Sequence, residues 1–137
     1  MEKIWLAYAN TQKFDAIECF RTLGHSNWKM GSRNFSVGDT IYFYVSSERK
    51  VMFKTRVKKL NMRNEEWDDD IYWTEKERLK ALDKPRMLLE LESEYDGVEL
   101  SEEILRQYGL PEKKSLLQQP VYGGGLSSCI EYIKNKF

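Results

Sequence analysis

The sequence predicts an α+β fold in which short helices flank a small, mostly antiparallel β pseudobarrel. Segment 41–45 is apolar at every position, which is typical of a strand that is covered on both faces. Segment 51–59 alternates apolar and polar residues, as a half-buried strand does. The polar connection 46–50 has the length of a hairpin, so we expect these two strands to be antiparallel neighbours. No linker composition interrupts residues 1–137, which predicts a single domain.

Composition excludes several classes of function. The 22 basic and 22 acidic side chains cancel, so no global field attracts the protein to nucleic acid or to an anionic membrane, and any such binding must be local. The chain begins directly with a strand, without the apolar core of a signal peptide or a membrane span, so we expect a cytoplasmic protein. Cys19 and Cys129 fall in predicted helices far apart in sequence, which favours reduced packing residues over a disulfide.

The N-terminal elements follow from capping and turn residues. Ile4–Ala9 is short and mostly apolar, which predicts the first strand. Asp15 has the position of an N-cap and Gly24 that of a C-terminal stop, so a helix is predicted between them. Residues 25–39 are predicted to be a loop that ends in the turn pair Gly38-Asp39.

The C-terminal half reads as shorter elements. Residues 61–73 predict a solvated acidic loop, and Thr74 caps a helix that extends to Leu82. The alternation over 87–92 predicts a strand, to which Val98–Leu100 could add another. The remaining predictions are a helix from Ser101 to Gly109 and a final helix capped by Ser127 or Ser128, with Ile130, Ile133 and Phe137 on one face.

Trp28 is the strongest candidate for a functional residue. Its sequence neighbours are small or polar, whereas a core tryptophan usually has apolar neighbours because its one N–H needs only one partner. An indole beside amide, hydroxyl and guanidinium groups, braced by a rigid strand, could form one wall of a pocket for a flat polar ring such as a nucleobase. The alternative is a tryptophan that plugs the end of the barrel.

Polar residues near Trp28 could read the edge of such a ring. Asn10 and Asn34 each offer a donor and an acceptor, although asparagine also commonly satisfies loop backbone groups. Arg33 could contact a phosphate or a base edge, or lie solvated on the surface. The candidates for a second aromatic wall are Tyr8, Tyr44, Trp73 and Tyr122, and of these Tyr8 and Tyr44 could instead belong to the core.

A basic row lies on one face of the predicted strand 51–59. Lys54, Arg56 and Lys58 alternate with apolar residues, so they could follow a nucleic-acid backbone. Alternatively, Glu90 and Glu92 alternate correctly on a neighbouring strand to pair with them.

With these elements placed, residues 4–60 resemble the EVE domain, a branch of the PUA-like superfamily that also includes the YTH and ASCH domains. EVE domains carry a Tyr-Trp-Leu strand, a Trp, an Arg-Asn pair and a Gly-Asp turn that leads into an aromatic strand ending in Phe-Tyr-His-Ser. The corresponding residues here are Ile4-Trp5-Leu6, Trp28, Arg33-Asn34, Gly38-Asp39 and Phe43-Tyr44-Val45-Ser46, with Val45 in place of the family's His.

The resemblance implies a PUA-like pseudobarrel and the binding of a modified base in DNA or RNA, with Ser46 added to the pocket residues named above. We therefore expect a non-enzymatic reader without a cofactor or metal, whose chemistry is supplied by a separate nuclease or effector protein. Two alternatives are an ASCH-like nucleic-acid hydrolase that uses the basic row, and a module that binds a small planar metabolite or a protein partner.

Overall fold

The computed structural model describes residues 3–31, 33–110, 119–120 and 124–137. The strands are β1 (Ile4–Ala9), β2 (His25–Lys29), β3 (Thr40–Val45), β4 (Lys50–Met62), β5 (Arg86–Glu94) and β6 (Gln119–Pro120). The helices are α1 (Ala16–Leu23), α2 (Glu75–Ala81), α3 (Glu102–Gln107) and α4 (Gly124–Lys134), with 3-10 turns at Asn64–Glu66, Asp70–Tyr72 and Val98–Leu100.

The strands form one sheet in the order β2-β5-β4-β3-β1-β6. β1 and β3 pair in parallel, and the other neighbours pair antiparallel. The five longer strands curl into a half-barrel with short helices around it. The predicted α+β class and the mostly antiparallel sheet are therefore confirmed.

Both faces of the sheet carry a hydrophobic core, and β3 lies between them. All six residues of β3 are buried, as its apolar composition predicts. Phe43 belongs to the first core, whereas Tyr42 and Tyr44 belong to the second. The first core includes Trp5, Phe14, Phe20, Trp28 and Leu89. The second core includes Leu6, Leu105, Ile130 and Ile133.

The helix boundaries follow from the predicted caps. The Asp15 side chain accepts a hydrogen bond from the Glu18 N–H, and Gly24 ends α1 in the left-handed region at φ 73°. Thr74 likewise accepts from the Glu77 N–H at the start of α2. Within the ranges given above, none of the helices is long and apolar enough to cross a membrane.

The prediction of a loop over residues 25–39 is wrong for its first five residues, which form β2. This strand pairs antiparallel with β5, and Trp28 lies opposite Met87. Its polar residues do not have the pattern of a strand. They are stable there because Asp69 accepts hydrogen bonds from the Asn27 N–H and the Ser26 hydroxyl at the outer edge of the sheet.

Two smaller predictions are also wrong. Val98–Leu100 is a 3-10 turn instead of a strand, because the Ser101 N–H donates locally to the Val98 carbonyl. Helix α4 begins at Gly124 instead of at a serine cap, since glycine has too low a helix propensity to indicate a helix from sequence. The burial of Ile130 and Ile133 on this helix is confirmed.

Both cysteines are free and buried, as predicted. Cys19 lies in the first core and Cys129 in the second, so the sheet separates them. Burial raises the pKa of the Cys129 thiol to about 11 and that of Cys19 still further, so both are protonated packing residues at neutral pH.

Candidate functional site

Trp28 lies among aromatic rings even though its sequence neighbours are polar. The Phe43 ring meets it edge-on with centroids 4.9 Å apart, and the Phe14 ring lies at 5.7 Å. Only 7 % of Trp28 is exposed. Its Nε1 is buried and has no hydrogen-bond partner in the part of the chain that the structure describes. The ring therefore packs as a core residue does, while its Nε1 donor is not used in any hydrogen bond among the described residues.

Trp28 belongs to a group that we call the tryptophan–arginine cluster, made up of Trp28, Trp67, Trp73, Asp69 and Arg86. The Trp28 and Trp73 ring centroids are 5.6 Å apart. The Arg86 guanidinium carbon lies 3.8 Å from the Trp67 ring centroid and 5.0 Å from that of Trp73. Trp73 thus joins the first core to a guanidinium that stacks on tryptophan.

Asp69 holds this cluster against the edge strand β2. Its Oδ2 accepts hydrogen bonds from the Asn27 N–H at 2.8 Å, the Trp73 indole at 3.0 Å and the Ser26 hydroxyl at 3.2 Å. Burial raises the pKa of Asp69, and these donors together with the Arg86 charge oppose the rise. The predicted solvated acidic loop is therefore wrong at Asp69, which has no exposed surface.

Arg86 is fully buried at the start of β5. Its Nη1 donates to the Asn27 carbonyl at 3.4 Å and lies 3.7 Å from Asp69 Oδ1. Its Nε and Nη2 have no hydrogen-bond partner among the described residues. Burial lowers the pKa of Arg86, while the charges of Asp69 and Asp70 act in the opposite direction.

Unpaired buried polar atoms concentrate around this cluster. Leaving such an atom unpaired costs about 1–3 kcal/mol, and most buried polar atoms in proteins are paired. Of those found in the described ranges, Ser93 Oγ alone lies elsewhere; the others are Trp28 Nε1, Trp67 Nε1, Asp69 Oδ1, Asp70 Oδ1, Arg86 Nε and Arg86 Nη2. Donors and acceptors thus occur together beside aromatic rings, as recognition of a flat polar ligand requires.

Tyr8 and Tyr44, two predicted walls, are not brought together with Trp28. Their rings stack on each other at 5.2 Å in the second core, on the opposite face of the sheet. The Tyr44 hydroxyl donates to Glu102 at 2.9 Å, and burial together with this contact raises the pKa of Tyr44 to about 12. Trp73 is the proposed second wall that contacts Trp28. Tyr122 lies outside the described residues.

The predicted polar pocket residues mostly serve the backbone or lie on the surface. Asn10 Oδ1 accepts from the Gln12 N–H at 3.0 Å, which is the loop role that was its alternative. Ser46 Oγ accepts from the Thr11 N–H at 2.9 Å. Arg33 and Asn34 are exposed in the connection between β2 and β3, and no described contact joins either of them to Trp28.

The basic row is paired across strands. Arg56 Nε lies 2.7 Å from Glu92, whose other oxygen is 3.8 Å from Lys54 Nζ. Lys58 Nζ lies 3.9 Å from Glu90. The row therefore has the arrangement expected from cross-strand pairing, and a phosphate backbone would have to compete with these carboxylates.

A metal site would need several His, Cys, Asp or Glu side chains close together. The described ranges contain no group of three or more His, Cys, Asp or Glu side chains that could hold a metal ion.

Sequence reasoning missed Trp67, Asp69 and Arg86 as members of one site. Two signals were available: Trp67 and Trp73 bracket the acidic run that contains Asp69, and Arg86 directly precedes an apolar strand. Neither signal indicates which carboxylate turns inward, because that depends on the edge of β2.

Solved structures show the same fold. A hypothetical protein from Leishmania major matches with a TM-score of 0.60 and 22% identity, over 98% of this chain and 94% of that one. A protein from Pseudomonas putida matches with a TM-score of 0.57 and 18% identity, over 94% of this chain and 98% of that one. No family model and no curated protein matches the sequence. At these identities the likeness establishes the architecture alone.

Proposed function

We propose that this chain is a non-enzymatic reader domain that holds a modified or flipped nucleobase of DNA or RNA beside Trp28. A separate nuclease or effector protein would supply any chemistry. The observation that carries the proposal is that Trp28 Nε1 has no hydrogen-bond partner among the described residues, and that Arg86 Nε, Arg86 Nη2 and Asp69 Oδ1 in the same cluster have none there either.

The chemistry of these atoms favours a base over an apolar ligand. A nucleobase presents both donors and acceptors along its edge and a π-face to an aromatic ring, so it can pair such atoms while it stacks. An apolar ligand would leave the same atoms buried and unpaired, at a cost of about 1–3 kcal/mol each. Stacking on an aromatic side chain adds about 1–3 kcal/mol per base.

A free nucleoside or similar planar metabolite is the second candidate, favoured by the pairing of Lys54, Arg56 and Lys58 with Glu90 and Glu92. A row that is already neutralised contributes less to binding a phosphate backbone than a solvated row of cations would.

Binding assays separate the two candidates. Fluorescence anisotropy would measure labelled single-stranded DNA and RNA that carry one unmodified or methylated base, with free nucleosides as competitors. If the protein is a reader domain, the oligonucleotide should bind more tightly than its nucleoside, and the logarithm of the affinity should fall linearly with the logarithm of the salt concentration. Equal affinities and a flat salt dependence would support the metabolite instead. Cleavage of the oligonucleotide by pure protein would contradict a non-enzymatic function.

Trp28→Phe tests the site itself. Phenylalanine keeps an aromatic ring but removes the Nε1 donor, so oligonucleotide affinity should fall about three- to tenfold. Tyr108→Phe is the matched control, because Tyr108 stacks on Tyr132 at 3.9 Å, away from the cluster, and is 42 % exposed. A folded Trp28→Phe protein with the affinity of the wild type would show that Trp28 is a core residue only.

A further inference from the structure

The two unpaired nitrogens of Arg86 lie on the same edge of its guanidinium group. Nε and Nη2 carry parallel N–H bonds that point in one direction and form a fork for two adjacent acceptors. The third nitrogen, Nη1, donates a hydrogen bond to the Asn27 carbonyl and lies near Asp69. Arg86 therefore has one edge in use and one complete bidentate edge unpaired within the described chain.

Two other arginines show how this fork is filled elsewhere in the molecule. Arg21 directs Nε and Nη2 at Glu94, at 3.2 Å and 2.6 Å. Arg56 directs the same pair at Glu92, at 2.7 Å and 3.2 Å. Both of these arginines are at least partly exposed, whereas Arg86 is fully buried, where an unfilled fork costs the most.

We infer that Arg86 determines base specificity by donating from Nε and Nη2 to the O6 and N7 atoms of a guanine base. The inference rests on the proposed function and gives it a base class. Guanine is the base whose major-groove edge presents two adjacent acceptors, and bidentate contact from arginine is its commonest specific recognition.

The local charges favour a neutral acceptor over an anion. Asp69 Oδ1 lies 3.7 Å from Arg86, and the buried Asp70 Oδ1 also has no partner in the described ranges. A phosphate or carboxylate would bring another negative charge beside these carboxylates, whereas the guanine edge brings none. Trp67 and Trp73 beside the guanidinium further suit an aromatic ligand.

We place the approach of the base on the side of Trp67, because this side chain is partly exposed whereas Arg86 is fully buried. Trp67 is half-buried and stacks on the guanidinium, so its side chain must move aside for a base to reach the fork. A surface groove of about 310 Å³, formed by residues 61–65 and 83–85, adjoins both the segment that leads to Trp67 and the start of β5. Its size is at the lower end of that found for small-ligand sites.

The test uses single-stranded oligonucleotides that are identical except at one position, which carries guanine, 7-deazaguanine or adenine. 7-Deazaguanine lacks the N7 acceptor and keeps O6, so it removes half of the bidentate contact. The wild-type protein should bind the guanine strand about tenfold more tightly than either of the others.

Arg86→Lys keeps the positive charge beside Asp69 but removes the planar fork. This variant should bind the guanine and 7-deazaguanine strands equally well. Arg21→Lys is the matched control and should keep the tenfold ratio, because Arg21 is exposed and pairs with Glu94. If Arg86→Lys fails to fold, the ratio of guanine to 7-deazaguanine affinity in the wild type still shows whether N7 is recognised, and a ratio near one overturns the inference.

The outcomes distinguish this inference from the proposed function. Binding that depends on Trp28 but shows no preference for guanine overturns the role of Arg86 and leaves the reader intact. Displacement of the guanine strand by millimolar inorganic phosphate at constant ionic strength would show that the fork takes an anion, which also overturns the inference. An absence of binding to every oligonucleotide and nucleoside refutes the proposed function itself.

Discussion

Asp69 joins parts of the chain that are distant in sequence. One carboxylate oxygen binds the edge strand β2 and the Trp73 indole, and the other faces Arg86. The 3-10 turn that follows Asp69 carries the chain to Trp73, so this carboxylate also sets where that ring lies against Trp28. The charge is stable in the interior because three donors and a guanidinium surround it.

Replacing Asp69 should destabilise the protein strongly. Asp69→Asn keeps an acceptor for the Asn27 N–H but removes the larger of the two countercharges that act on the buried Arg86, so the free energy of unfolding should fall by about 3 kcal/mol. Asp68→Asn is the control, because Asp68 forms a partly exposed pair with His25 and should cost less than about 1 kcal/mol. Urea denaturation measures both, and equal losses would mean that Arg86 does not need the charge.

At the scale of elements, the antiparallel β4–β5 pair joins the edge strand β2 to the buried strand β3. Thr55 lies opposite Leu91 and Val57 opposite Leu89. On the other face of the same strands, Arg56 forms an ion pair with Glu92. One strand pair thus supplies part of the first core and the neutralised basic row. Its register also places Arg86 opposite Met62, at the end of the sheet where the tryptophan–arginine cluster forms.

The Arg56–Glu92 contact should make stability depend on pH. The hydrogen bond and charge of Arg56 lower the pKa of Glu92 below its ordinary 4.5. A lowered carboxyl pKa contributes stability above the ordinary value, and this contribution is lost as the pH falls through the lowered one. Unfolding free energy measured from pH 6 to pH 3 should therefore fall less steeply in Glu92→Gln than in the wild type. Glu103→Gln, at an exposed position, should follow the wild-type curve; identical curves for all three proteins would contradict the prediction.

At the scale of the whole molecule, the sheet separates two cores with different roles. The first core contains Trp28 and adjoins the tryptophan–arginine cluster. The second contains the stacked pair Tyr8 and Tyr44 together with helix α4. A sheet that lies between two packed layers allows one side to contribute stability alone while the other side also carries the candidate site.

Ile133→Ala and Phe14→Leu should separate these roles. Ile133 is fully buried in the second core, so Ile133→Ala should cost about 2–5 kcal/mol of stability and leave oligonucleotide affinity within twofold of the wild type. Phe14 stacks on Trp73 at 4.2 Å and contacts Trp28. Phe14→Leu should therefore lower both the stability of the protein and its affinity for the oligonucleotide. Binding and denaturation are measured at a temperature where both variants are folded. A large loss of affinity in folded Ile133→Ala would show that the two faces are coupled.

Patterns within short stretches of sequence predicted much of the fold. The cap at Asp15, the stop at Gly24, the apolar run in β3 and the alternation in β4 each depend on a few consecutive residues, and the structure has all four. β2 could not be predicted in this way, because its polar residues are stable only once Asp69 covers its edge.

The sequence by itself determined the α+β class, the antiparallel β3–β4 pair and Trp28 as the residue to examine, since each follows from periodicity or from contrast with its neighbours. Only the tertiary structure decided which side chains accompany Trp28. Tyr8 and Tyr44 lie on the face of the sheet opposite to Trp28. Trp73, Asp69 and Arg86 lie beside Trp28 at the edge formed by β2. The physical reason is that sheet order and strand register, which long-range pairing sets, decide which face and which edge each side chain occupies.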